Sequence, residues 1–144
     1  MVGQFLSEIA GSFNLALFSH RKIVQLDHLQ MSVKLANSEI DALFLAIEEG
    51  DTGTREIIVC CEAKGRRDDI LEDQLLREAK AVFSMRGITQ DTVIPIAVKA
   101  LAPSQVYVIE YEAIHRVNAS RASSLSFASH ALYQLVPPVP GIGM

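Results

Sequence analysis

Three charged residues interrupt apolar stretches in this chain: Asp41 within residues 40–47, and Glu62 and Lys64 at the end of the run 57–64. Residues two apart on a strand point to one face, so Glu62 and Lys64 form an acid–amine pair. Burying such charges is costly unless they are paired or bind something. The intervening stretch, Glu48-Glu49-Gly50-Asp51-Thr52-Gly53-Thr54, has the composition of a hairpin loop. The two strands are then neighbours, and Asp41 can approach Glu62 across the pair. Two carboxylates brought together repel and raise one pKa, a conflict that a divalent cation resolves. Hard oxygen ligands with few protein contacts suit Mg2+, which keeps several waters and binds substrate phosphates; Mn2+ would substitute. Such an ion polarises a phosphoryl group and acidifies water, and a nearby ammonium orients that water or stabilises transition-state charge. These are the parts that phosphodiester hydrolysis needs.

Positioning them requires a set of elements that the sequence also predicts. Residues 3–18 carry Phe5, Leu6, Ile9, Phe13, Leu17 and Phe18 at helical spacing, though Gly11 weakens the helix. Residues 31–35 alternate as a half-buried strand, and Asn37-Ser38 reads as a turn or bulge. Strands over 40–47 and 57–64 follow, the second rich in β-branched residues and stopped by Gly65. Asp68 or Asp69 is placed to cap a helix running to about Ser84, with Glu72 available for a reciprocal contact. Its core face would be Leu71, Leu75, Ala79, Val82 and Phe83, and Gly87 would end it. Residues 93–98 read as a buried strand that Pro95 assigns to an edge or bulge. Residues 106–111 alternate as another strand, while 125–135 fit either a strand or a short helix. The order of helix, three strands, helix and further strands predicts an α/β domain with one central mixed β-sheet flanked by helices.

In this context the sequence resembles the PD-(D/E)XK nuclease superfamily, the restriction endonuclease-like enzymes. Ser38-Glu39-Ile40-Asp41 matches the first half-motif and Glu62-Ala63-Lys64 the second, with the preceding strand and following helix in place. The resemblance covers roughly residues 30–110. It implies that Asp41 and Glu62 bind the metal together with the Ala63 carbonyl, and that Gln74 on the following helix supports the site. Glu8 on the first helix would fit loosely as a further ligand. Ile40 stands where the family name has Pro, and Glu78 stands where some branches carry a tyrosine. The implied activity is Mg2+-dependent endonucleolytic hydrolysis of DNA. Two alternatives stay open: a repair or junction-resolving nuclease, and a non-catalytic nucleic-acid-binding or assembly module that keeps the fold.

Composition sets limits on this reading. The 144 residues fit one domain, with 13 Lys and Arg against 17 Asp and Glu, a net charge of -4. That balance gives no global attraction to nucleic acid, so phosphate contacts must come from a local basic strip. Arg66 and Arg67, just after the second half-motif, are the candidates; Arg77 and Lys80 read as a solvated helix face, and 118–124 as a connection. Cys60 and Cys61, adjacent in a buried strand, read as core thiols of a cytoplasmic protein. No run is long enough to span a bilayer. The four histidines have no metal-ligand spacing. Cutting both strands takes two sites, so a homodimer is expected, with a recognition subunit as a further partner.

Overall fold

The computed structural model describes residues 21–34, 39–102 and 104–134. The predicted first helix with Glu8 and the turn at Asn37-Ser38 lie outside the described residues. The fold is mixed α/β, built on a seven-stranded sheet with a single α-helix among the described residues. In chain order these elements are β1 (Ile23–Lys34), β2 (Glu39–Gly50), β3 (Gly53–Lys64), α1 (Glu72–Val82), β4 (Thr92–Ala102), β5 (Gln105–Tyr111), β6 (Ile114–His115), the 3-10 helix η1 (Arg116–Arg121) and β7 (Phe127–Gln134). The sheet runs β1-β2-β3-β4-β5-β7, with β6 also paired to β4. β3 and β4 are parallel, joined through α1, and the other pairings are antiparallel.

β3 is buried on both faces from Ile57 to Glu62. This is why its centre is a continuous apolar run and not an alternating one. On one face Leu43, Ile58, Cys60 and Ala97 pack with Leu75, Ala79 and Val82 of α1. On the opposite face Phe44, Val59, Cys61, Ile96 and Val108 form a second core layer. The two thiols are free and buried, one in each layer.

Several boundaries differ from expectation. The β2–β3 hairpin is tighter than predicted: Gly50 pairs with Gly53 around Asp51-Thr52, and Gly53 adopts φ +128°. A backbone there favours glycine, which has no Cβ to clash. Neither Asp68 nor Asp69 caps α1. Leu71 holds the N-cap position without a side-chain bond, and it is 54% exposed, not part of the core face. The Asp68 amide closes a turn onto Gly65 instead. The helix ends at Val82, short of Ser84. β4 is central, which corrects the edge assignment. Pro95 is tolerated because β6 pairs with Thr92 and Val93, β5 takes over at Ile96, and the missing N–H falls at the break between them. Residues 127–134 resolve as a strand.

Candidate active site

The β2–β3 ladder stops at Ala42 opposite Cys61. Extending that register by one residue would set Asp41 opposite Glu62. There the pairing is replaced: Asp41 Oδ2 accepts the Ala63 N–H at 2.6 Å. A side-chain carboxylate has taken the position of a main-chain acceptor, so β2 and β3 part at this point. β3 remains fixed along its other edge, paired to β4 as far as Lys64 opposite Lys99. In an extended strand the N–H and C=O of one residue point to the same side. The Ala63 carbonyl therefore faces the same gap as its N–H.

Side chains alternate along β3, and Ile58 and Cys60 face α1, so Glu62 and Lys64 do too. Glu62 is 5% exposed, and Lys64 Nζ lies 3.5 Å from its Oε1. Across from them α1 presents Glu78, which is completely buried, with Gln74 Nε2 donating to Glu78 Oε1 at 3.0 Å. Burial, the Glu78 carboxyl and the field of Asp41 push Glu62 up to about 8, against the opposing pull of Lys64. Burial also raises Glu78, with the hydrogen bonds from Glu62 and Gln74 acting the other way. Glu62 Oε2 and Glu78 Oε2 are buried without a hydrogen-bond partner. Two carboxyls in this state either share a proton or meet a cation.

A hard divalent cation fits this donor chemistry. The gap is lined by the Asp41 and Glu62 carboxyls and the Ala63 carbonyl, all oxygen donors, and one Glu62 oxygen lacks a donor of its own. Among the described residues no group of three or more His, Cys, Asp or Glu side chains is disposed as a metal cage. Two acids with waters and substrate phosphate completing the shell is the usual pattern for Mg2+.

Sequence reasoning identified Asp41, Glu62 and Lys64, which come together, and Gln74, which reaches the cluster through Glu78. It treated Glu78 as a departure from a family pattern and missed its place in the site. The signal was present: Glu78 lies on the helix stripe Leu75-Glu78-Ala79-Val82, an acid where the core face should be apolar. Arg66 and Arg67 lie in the exposed turn after β3, close in sequence to the site but without an ion pair among the described residues. Lys80 donates to the Ala122 carbonyl at 2.9 Å and is structural. So is Arg116, whose guanidinium binds the carbonyls of Phe83, Ile88 and Gln90 at 2.7–3.1 Å and lies 4.9 Å from the Phe83 ring centroid. No helix among the described residues is long and apolar enough to cross a membrane.

Comparison of the chain with family models, curated proteins and solved structures finds no match in any of the three.

Proposed function

We propose that the chain is a Mg2+-dependent nuclease of restriction endonuclease-like type that hydrolyses DNA phosphodiester bonds. The observation that carries this reading is the convergence of Asp41, Glu62 and Lys64 where the β2–β3 ladder parts. Asp41 and Glu62, with the Ala63 carbonyl, would hold the cation. When bound, the ion supplies Lewis-acid polarisation of the scissile phosphate and a more acidic water. Lys64 orients the attacking water and offsets charge on the phosphoryl oxygens. The water oxygen forms the new P–O bond and releases a proton to solvent, the ester P–O bond breaks, and the departing alkoxide takes up a proton from solvent. Gln74 holds Glu78 and thereby positions Glu62. Arg66 and Arg67 are available for phosphates beside the gap. Cutting both strands would use two copies of the chain.

The test is plasmid cleavage in Mg2+, in Mn2+ and in chelator, with Lys64→Ala alongside. The reading expects nicking or linearisation that requires metal and disappears in the variant. Cleavage at the same rate in chelator, or undiminished in Lys64→Ala, overturns it.

A further inference from the structure

The sheet register carries a strip of side chains away from the site on the face that bears α1. Lys64 lies opposite Lys99, Lys99 opposite Tyr107, and Tyr107 opposite Leu132. One row along, Glu62 lies opposite Ala97, Ala97 opposite Ile109, and Ile109 opposite His130. Directly paired residues share a face, so each row is a continuous line across β3, β4, β5 and β7. Strands are about 4.8 Å apart, which sets Tyr107 about 10 Å from the strand of Glu62. α1 packs on β3 and β4; among the described residues the same face is open towards β7, with Phe127 58% and Leu132 59% exposed.

Three rings cluster on that open face. Tyr107 and His130 have centroids 5.5 Å apart and are joined by a 2.8 Å hydrogen bond between the phenol and Nδ1. Phe127 lies 5.5 Å from His130 on the other side. Between the rings and the acids sits Lys99, whose ammonium is 3.9 Å from the exposed Asp69 carboxylate. Two exposed rings, Phe127 and His130, with the half-buried Tyr107 beside His130 and a lysine row, suit a polymer with flat apolar faces and an anionic backbone. Unpaired bases offer both; a duplex hides its base faces in the stack.

We propose that Tyr107, His130 and Phe127 form a stacking platform for unpaired bases of single-stranded nucleic acid, with Lys99 meeting its phosphates. Taken with the nuclease reading, on which this part rests, the platform leads a single-stranded segment across the sheet to Asp41 and Glu62. The favoured substrate is then single-stranded or flapped, with intact duplex cut more slowly.

The experiment is fluorescence anisotropy of a labelled oligothymidylate and of a duplex of equal length, in chelator so that no turnover occurs. It compares the wild type with Tyr107→Ala, Phe127→Ala and Lys99→Ala, with light scattering on each sample. The wild type is expected to bind the single strand more tightly than the duplex. Each aromatic variant should lose about tenfold in single-strand affinity, with duplex binding unchanged. Lys99→Ala should flatten the salt dependence. Unchanged single-strand affinity in both aromatic variants overturns the platform. So does a shift from dimer to monomer in those variants with oligonucleotide binding intact, which would assign the rings to a second copy of the chain. Ring-dependent binding without cleavage in either metal would support the platform and count against the nuclease reading alone.

Discussion

Asp41 does two jobs that substitution can separate. Its carboxylate ends the β2–β3 ladder by accepting the Ala63 N–H, and its charge contributes to the acidic gap. Asp41→Ala leaves that amide without its acceptor and should cost about 1–3 kcal/mol in denaturant titration. Asp41→Asn keeps an acceptor oxygen and should cost much less. Equal losses in the two variants would remove the ladder-ending role. A second residue-scale prediction concerns Glu110, buried on the opposite face, where Ser129 Oγ donates to it at 3.2 Å. Burial pushes Glu110 from 4.5 up to about 7. The folded state therefore holds this proton more tightly than the unfolded chain does. Its stabilising contribution is complete below about 4.5 and is lost as pH rises through about 7. In chelator, unfolding free energy should fall between pH 5 and 8 more steeply in the wild type than in Glu110→Gln, by on the order of 2 kcal/mol. Identical slopes would refute the assignment.

At the scale of elements, two features make specific demands. Gly53 completes the β2–β3 hairpin at φ +128° with nothing within 4 Å of where a Cβ would sit. Gly53→Ala should therefore cost about 1–3 kcal/mol from backbone strain alone, measured by thermal or urea unfolding; no loss would mean that the turn relaxes. Arg116 ties the carbonyls after α1 to the chain entering β4. Arg116→Ala should destabilise by about 2 kcal/mol while leaving the site residues in place, so the variant should retain activity below its melting point. Loss of activity in a fully folded Arg116→Ala protein would contradict its structural role. The sequence revealed most of these elements because local chemistry marks them: β-branched runs for β3, and Gly and Asp at the hairpin. Long-range pairing was not legible. Pro95 reads as an edge or bulge signal, and which of the two is legible only once β5 and β6 are seen to exchange beside it. Asp68 and Asp69 read as caps, yet Asp68 closes a turn onto Gly65 and the helix begins at Glu72.

For the whole molecule, the acids and the amine of the site were legible because charge interrupting an apolar strand is anomalous in one dimension. Glu78 was legible only as an acid on an apolar helix stripe; its pairing with Glu62 was not, because that partner is reached through the packing of α1 on β3. The net charge of -4 makes any approach to nucleic acid depend on local features: Lys64 and Lys99 across the sheet, and Arg66 and Arg67 in the adjoining turn. The metal-holding role of Asp41 is tested by the rate of plasmid nicking in Mn2+ by Asp41→Asn beside the wild type. The substitution removes the charge at the gap while keeping an acceptor for Ala63. Nicking should fall to the level seen in chelator, with the melting midpoint close to that of the wild type. Nicking at the wild-type rate by a folded Asp41→Asn protein would contradict that role.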